Sequence, residues 1–305
     1  MARAPKSRPV EAGKPGRVIE IRGRRVLVRD SQGERVCFLS GQRAVVGDRV
    51  RWVEAPGQGG KLVGVDPRDN ALCRVDFKGR EQVLAANLAG LLIVATVDQP
   101  PFRPGLLDRY LVAAASSGLD ALVLVNKCEL PTPSEVDAAQ ALRESVGVEF
   151  LRVSAHEGTN LDLLRAWLDQ RADRGPWALV GHSGVGKTSL AAALLPDADV
   201  GAVGDLSTYW GTGQHTTTGA RLLPLGKAEI VDSPGIRTFA PAGLSSHDVR
   251  LHFPGVCELQ CGYRDCLHRA GEDRCAAEEQ VDEPLLASYR RLLAELLDIE
   301  SRSRP

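Results

Sequence analysis

Between Trp177 and Leu195 the chain reads WALVGHSGVGKTSLAAALL, and Gly181-x-x-x-x-Gly186-Lys187-Thr188 within it has the spacing of a phosphate-binding loop. Phosphate oxygens must be met by several backbone N–H groups at once. A side chain at Gly181 or Gly186 would block that approach or strain the turn. The stretch between them, His182, Ser183, Gly184 and Val185, supplies further amides, and Ser189 opens the helix that follows. That helix aims its N-terminus at the same charge. Lys187 is expected to reach the β- and γ-phosphates and Thr188 to hold a Mg²⁺ ion. The flanks agree, because Trp177–Val180 reads as a buried strand and Ser189–Leu195 as a helix with Leu190, Leu194 and Leu195 inward. This stretch predicts binding of a nucleoside triphosphate.

Three more loops carry matching chemistry. Asn126-Lys127-Cys128-Glu129 follows the apolar run ALVLV and resembles the Asn-Lys-x-Asp base-reading motif of GTPases. There the carboxylate accepts from the N1–H and amino group of guanine, a donor pair adenine lacks. Ser154-Ala155 follows VEFLRV and offers a backbone N–H to the base oxygen. Asp232-Ser233-Pro234-Gly235 follows AEIV and matches Asp-x-x-Gly, the sensor of γ-phosphate and Mg²⁺. Each tetrapeptide alone is a weak signal. Together, each behind its own strand, they are a strong signal, and the two base-reading loops argue against a weaker third reading, an ATP-dependent small-molecule kinase.

These loops need elements to hold them. From about residue 71, strands and helices alternate: GLLIVATV, LLDRYLVAAASSG, DALVLVN, SEVDAAQALRESVG, VEFLRVS and NLDLLRAWLDQRA, then the Trp177 strand. The alternation predicts a parallel sheet with helices on both faces, whose ligands sit at the carboxyl ends of the strands. Before it, residues 17–65 hold five short strands punctuated by Gly23, Ser31-Gln32-Gly33 and Gly41, the pattern of a small barrel. An oligonucleotide/oligosaccharide-binding (OB) fold is the expected type, with an SH3-like barrel the alternative. Residues 1–52 carry 13 Lys/Arg against five Asp/Glu, a local charge of +8, while the remainder carries −9. That asymmetry points to a polyanion partner, with a solvated basic face as the plain alternative. Arginines 22, 24, 25, 29, 49 and 51 would meet phosphates, since only Phe38 and Trp52 offer stacking surfaces. The first residues carry charge without an apolar run, and no segment approaches the ~20 apolar residues of a membrane span. A cytoplasmic protein is therefore expected. Of seven cysteines, four cluster between Cys257 and Cys275, which reads as a metal site before disulfides.

The order of the loops is unusual, because the base readers precede the phosphate loop. This is a circular permutation, tolerable where the natural termini lie close together. The chain resembles the circularly permuted GTPases that assist bacterial small-ribosomal-subunit assembly. The residues that carry the resemblance are the OB-like start, Leu107-Asp108-Arg109-Tyr110-Leu111, Gly181–Ser189, Gln214-His215-Thr216-Thr217-Thr218, Asp232–Gly235 and a cysteine/histidine module. Three departures stand out: Glu129 where the family has Asp, Gln214 where it has Arg, and a metal spacing one residue longer.

The resemblance implies a multidomain protein: a basic disordered tail at 1–13, an OB-fold barrel at 14–70, a circularly permuted P-loop GTPase at 71–243, and a mostly helical zinc-binding domain at 244–305. In the module Cys261-x4-Cys266-x-His268-x6-Cys275, three thiolates and an imidazole complete a structural zinc site, with Cys257 able to stand in for Cys261. Leu285, Leu286, Tyr289, Leu292, Leu293, Leu296 and Leu297 then recur at helical spacing and predict a closing amphipathic helix. Gly201–Gly219 is expected to be a switch, disordered without triphosphate or partner, and one of its threonines, Thr217, to be a Mg²⁺ ligand. Ile236 occupies the place of the glutamine that commonly follows Asp-x-x-Gly and orients water, so His215 is the expected catalytic residue beside Lys187. Asp232–Gly235 is followed within about ten residues by the metal module, so movement with the γ-phosphate would pull on it. The implied function is a monomeric, cytoplasmic GTP hydrolase that cycles between GTP and GDP, binds the 30S subunit and 16S rRNA, and leaves on hydrolysis. The competing reading is an RNA-binding structural factor that uses nucleotide only for folding.

Overall fold

The computed structural model describes residues 13–55, 59–75, 80–195, 220–232, 236, 239 and 243–302. The basic tail before residue 13 and the Gly201–Gly219 stretch lie outside them. Five strands open the described chain: β1 (Lys14–Arg22), β2 (Arg25–Asp30), β3 (Gly33–Phe38), β4 (Arg49–Ala55) and β5 (Gly59–Val65). They pair in the order β1-β2-β3-β5-β4, and β4 returns to β1. The β3–β5 pair is parallel and the others are antiparallel. This closed five-stranded barrel is the OB type. Val18, Val26, Val28, Cys37, Val50, Trp52 and Leu62 fill its interior. Alternation along β2 does this, since Val26 and Val28 point in while Arg25 and Arg29 point out.

The hairpin of β6 (Ala71–Val75) and β7 (Glu81–Ala86) leads to the central sheet while touching the barrel, through the Ala86 N–H on the Val46 carbonyl at 3.0 Å. Its elements follow as β8 (Gly90–Thr96), α1 (Pro104–Ser116), β9 (Asp120–Asn126), α2 (Ser134–Glu144), β10 (Glu149–Arg152), α3 (Leu161–Asp169), β11 (Trp177–Val180), α4 (Lys187–Leu194), β12 (Ala220–Leu225) and β13 (Ala228–Asp232). The strand order is β10-β9-β8-β11-β13-β12. Five of these strands are parallel, as the alternating pattern predicts. The sixth, β12, departs from it: β12 runs antiparallel to β13 because only Gly226 and Lys227 join them, too short a connection for a parallel crossover.

Both faces of the parallel strands are covered. Leu91, Ile93, Val123 and Val125 pack with Leu107, Tyr110 and Leu111 of α1. The alternate residues Leu92, Val94, Leu122 and Leu124 pack with Leu164 and Leu168 of α3 and Leu190 and Leu194 of α4. Near-continuous apolar strands are what two covered faces require. The barrel is not hung on a linker: β1 runs on past β4, which it pairs only over Lys14–Arg17, and on that edge pairs Glu20 and Ile21 with Arg221 and Ala220 of β12, making one sheet of 11 strands. Arg17 and Arg29 fasten the same seam to Glu229 at 2.7 and 2.6 Å.

The C-terminal part holds α5 (Ser246–His252), α6 (Ala277–Gln280) and α7 (Glu283–Arg302). Its apolar cluster includes Val249, Phe253, Leu285, Tyr289, Leu292, Leu293 and Leu296, and reaches Val112 of α1. Helix α1 is therefore packed on both sides. At that junction the Asp108 carboxylate accepts two bonds from Arg143 of α2, at 2.8 and 2.7 Å, and a third from the Ser288 hydroxyl of α7 at 2.6 Å. Asp108 and Arg143 are only 1% and 2% exposed. Neither charge has water to fall back on, so each depends on the other.

Arg143→Ala should accordingly cost about 3–5 kcal/mol by leaving Asp108 buried without its counter-charge. The double variant Asp108→Leu/Arg143→Met should recover most of that loss in denaturant unfolding. An Arg143→Ala midpoint equal to the parent's would show that the pair is not sealed from solvent.

Candidate nucleotide and metal sites

Three sequence-distant loops, together with Asp232 at the end of β13, lie at the carboxyl ends of the parallel strands. The turn after β11 runs from Gly181 to Gly186, and α4 begins directly at Lys187. Two glycines in it are forced by neighbours. Gly181 has φ +142, and a Cβ there would run into the Val94 carbonyl of β8. Gly186 has φ +90, and a Cβ there would collide with the Asn126 side-chain amide. Both conformations are ones that L side chains rarely adopt. Thr188 and Ser189 are exposed in the first turn of α4, while Val185 is buried beneath the loop. Lys187 Nζ donates to the Gly181 and His182 carbonyls at 2.8 and 2.7 Å, which curls the side chain back over the loop.

Asn126 ends β9 and is almost fully buried. Its Nδ2 donates to the Val185 carbonyl at 2.9 Å and its Oδ1 accepts from the Ala155 N–H at 3.1 Å. One amide thus joins the phosphate loop to the Ser154-Ala155 loop. The Ala155 N–H, expected to face a base oxygen, is engaged by Asn126 here. Ser154 is buried, and its hydroxyl accepts from the Glu157 N–H at 2.9 Å. Lys127 reaches the Gln99 carbonyl across the loop.

Glu129 is part-buried, and its Oε2 is a buried oxygen without a hydrogen-bond partner among the described residues. Burial works to raise its carboxyl pKa. The Ser154 hydroxyl, a backbone N–H and the nearby His156 and Lys127 charges outweigh that and hold it below the ordinary value. The group is an ionised acceptor at neutral pH. A desolvated acceptor left open is costly unless a ligand closes it. Asp232 stands at the end of β13, whereas Gly235, His215 and Thr217 lie outside the described residues.

The phosphate loop, Lys187, Thr188 and Ser189 face a cavity of about 640 Å³ closed on its other side by Leu106, Tyr110 and Phe239. Tyr110 and Phe239 are not among the sequence candidates. Tyr110 does stand in the Leu107–Leu111 stretch that carries the family resemblance, and that was the available signal.

The second site lies between α5 and α7. Cys261, Cys266, His268 and Cys275 bring their ligand atoms within 4.8 Å of one another and could hold a metal ion. His268 Nδ1 is 3.4, 3.5 and 3.6 Å from the three sulfurs, and Cys261 Sγ is 4.0 Å from Cys275 Sγ. Zn–S bonds of about 2.3 Å and Zn–N bonds of about 2.0–2.1 Å give tetrahedral edges of about 3.5 Å for S···N and 3.8 Å for S···S, so this donor set fits that ion. The exposed Cys257 is not part of the cluster, and Cys261 is. Burial pushes the Cys266 thiol up to about 12, and keeps His268 neutral by lowering its pKa, so the buried sulfurs lack the charge that would stabilise thiolates. The Glu272 carboxylate accepts from the Leu267 and Arg269 N–H groups at 3.1 and 2.9 Å, bracing the turn that presents His268 with φ +55.

On the barrel, the expected phosphate-binding arginines divide. Arg29 is tied to Glu34 and Glu229, Arg49 to Asp69, Arg51 to Asp66 and Arg22 to Glu20. Arg24 and Arg25 have no carboxylate partner among the described residues. With Arg22, Phe38 and Leu39 they line a surface cavity of about 620 Å³.

Comparison with known proteins agrees with this architecture. The family model described as RsgA GTPase matches residues 65–241. The small ribosomal subunit biogenesis GTPase RsgA of Azotobacter vinelandii is 40% identical over 268 residues, covering 84% of this chain and 76% of that protein. The protein of the same name from Pseudomonas fluorescens is 38% identical over 302 residues, covering 93% and 86%. Among solved structures, YjeQ from Thermotoga maritima aligns with a TM-score of 0.73 at 24% identity, over 95% of this chain and 99% of that one. YloQ, a circularly permuted GTPase, aligns with a TM-score of 0.71 at 19% identity, over 100% and 99%.

Gly186→Ala should abolish nucleotide binding and also lower stability by about 1–3 kcal/mol, because the added methyl is strained at this φ and displaces either the loop or the buried Asn126 amide. Isothermal titration with a guanine nucleotide, beside a melting curve, reads both quantities. Retained affinity would mean that the loop relaxes around the methyl group.

Proposed function

The chain belongs to the RsgA GTPase family, and we propose that this GTP hydrolase works on the 30S ribosomal subunit, assisting late assembly and leaving when GTP is hydrolysed. The observation that carries the base specificity is the open, buried Glu129 oxygen in a loop that Asn126 ties to the phosphate loop. Guanine offers N–H donors to such an acceptor, and adenine has no equivalent pair. The extra methylene of Glu129 relative to Asp leaves that hydrogen-bond chemistry intact.

The site residues take the following roles in this reading. Asn126, Lys127, Glu129, Ser154 and Ala155 hold the base. Gly181 through Ser189 hold the phosphates, with Lys187 stabilising charge on the transferred group. Thr188 and Thr217 ligate Mg²⁺, while Asp232 and Gly235 sense the γ-phosphate. Ile236 is buried in the core beneath the sheet, so it cannot orient the attacking water. His215 takes that role, its imidazole offering a ring nitrogen to the attacking water. Cys261, Cys266, His268 and Cys275 hold one structural zinc ion, which supplies a folding constraint rather than chemistry. The barrel at 14–70 contacts 16S rRNA through Arg24 and Arg25, which have no carboxylate partner among the described residues. The GTPase unit spans 71–243 and the zinc unit 244–305, and the protein acts as a cytoplasmic monomer. No helix among the described residues is long and apolar enough to cross a membrane.

The decisive experiment is multiple-turnover phosphate release with and without 30S subunits. Marked stimulation supports the assembly GTPase. Tight GTP binding with negligible release under both conditions supports the structural-factor alternative. GTP should bind at least about tenfold more tightly than ATP, with Glu129→Ala erasing most of the difference, since each unpaired buried group costs ~1–3 kcal/mol. Equal affinities in the parent would refute the base reading. The Cys266→Ser variant should lose its zinc in metal analysis and lose protection at residues 255–280 in hydrogen exchange. Affinity for 30S particles should fall steeply with salt. Removing Arg24 and Arg25 should flatten that slope, whereas removing Arg49 and Arg51 should not.

A further inference from the structure

Where the barrel joins the central sheet, three neighbouring strands carry a row of charges. Glu20 of β1 lies opposite Arg221 of β12, and Arg221 lies opposite Asp232 of β13. Residues directly opposed in antiparallel strands share a face, with Cβ atoms about 4.5–5.5 Å apart. On that face Ala228 and Ile230 of β13 pack with Leu190 and Leu194 of α4, the helix that opens at Lys187 and Thr188. Asp232 therefore ends the row on the phosphate-loop side of the sheet. The other end reaches the barrel surface. Glu20 pairs with Arg22, and Arg22 lines the surface cavity with Arg24, Arg25, Phe38 and Leu39.

The members of the Arg22–Glu20 pair differ in their access to solvent. The Arg22 side chain is 62% exposed and that of Glu20 only 11%. A polyanion in the cavity would draw Arg22 outward, and the carboxylate left behind has little water to turn to. A nearly buried carboxylate stripped of its partner needs another cation. Arg221 stands opposite it and has no ion pair among the described residues. A guanidinium set between two carboxylates has two arrangements, one toward Asp232 and one toward Glu20. In the first it competes with a metal ion for the Asp232 oxygens.

We infer that Arg221 couples RNA on the barrel to Mg²⁺ and GTP in the nucleotide site, turning from Asp232 to Glu20 when an RNA phosphate takes Arg22. The inference rests on the reading of the barrel as the RNA-docking surface and of Asp232 as the sensor of Mg²⁺ and γ-phosphate. The bistable element is one side chain, and each of its two arrangements is favoured by a different ligand. Linkage makes the effect reciprocal, so RNA strengthens GTP binding by the factor by which GTP strengthens RNA binding. Such factors are typically about 5–150. The base-reading loops lie off this row, so GDP binding without Mg²⁺ stands outside the coupling.

The test titrates a fluorescent, non-hydrolysable β,γ-imido analogue of GTP at fixed Mg²⁺, with and without saturating 30S subunits. GDP affinity in EDTA and the melting temperature are measured beside it. In the parent, 30S subunits should raise analogue affinity at least about fivefold, the lower end of typical couplings. Arg221→Gln removes the competitor from Asp232. It should bind the analogue at the stimulated level without subunits, and their addition should change affinity by less than about twofold, below the range of a true coupling. Glu20→Gln leaves Arg221 without its second carboxylate and should stay at the parent's unstimulated level with 30S present. Arg22→Ala strips Glu20 of its partner and should reproduce part of the stimulation without subunits, which tests the same link if Glu20→Gln folds poorly. Arg221→Lys keeps the charge and should keep the coupling. A merely structural role predicts that the variants lose analogue affinity, GDP affinity and melting temperature together, and that result overturns the inference. So does a parent that binds 30S subunits with no change in analogue affinity, or full coupling surviving in Arg221→Gln. A parent that does not bind 30S subunits overturns the docking reading instead, so the two failures are distinguishable.

Discussion

The nucleotide site depends on one buried amide. Asn126 ends β9, lies against Gly186, donates to the Val185 carbonyl and accepts from the Ala155 N–H. Three segments more than two dozen residues apart in the chain are held by this side chain, with no water to substitute for any of its bonds. A buried amide is a demanding connector, because each donor or acceptor left unpaired costs free energy. That demand fixes the geometry: the phosphate loop cannot shift without breaking the contact to the base-reading loops. Glycine at 186 is the counterpart of the same constraint, since the amide occupies the space a side chain would need.

The second organising contact is α1, which belongs to two cores at once. One side fills the space above β8, β9 and β11, and Val112 reaches the cluster of α5 and α7. A carboxylate inside such an interface is tolerable only because Arg143 meets it with Nε and Nη2 and Ser288 adds a third donor. The C-terminal unit is thereby seated on the GTPase sheet rather than tethered to it. The barrel is seated differently, by strand pairing between β1 and β12 and by the Glu229 ion pairs.

Much of this chain was legible in its sequence, because the informative features are local. The phosphate-loop pattern, the loops after each strand and the strand–helix alternation arise from residues within a few positions of one another. Steric limits at glycine, backbone-to-phosphate geometry and the two-residue and 3.6-residue periods act over that range. The five barrel strands and the closing helix were readable for the same reason. The cluster of cysteines was legible as a metal site, yet Cys257 and Cys261 were interchangeable on spacing alone.

Tertiary structure decided what depends on docking. Only the packed turn of His268 selects Cys261, because ligand atoms must converge within a few ångströms. Only the folded seam shows that Arg29 is engaged by Glu229, 200 positions away, while Arg24 and Arg25 meet no carboxylate among the described residues. The antiparallel β12, its pairing with β1, the Asp108–Arg143–Ser288 junction and the Tyr110–Phe239 bond are likewise invisible to periodicity. The reason is physical: a buried charge or hydroxyl takes its partner from whichever element packs against it. Residue type announces that a partner is needed, and only the fold supplies which one.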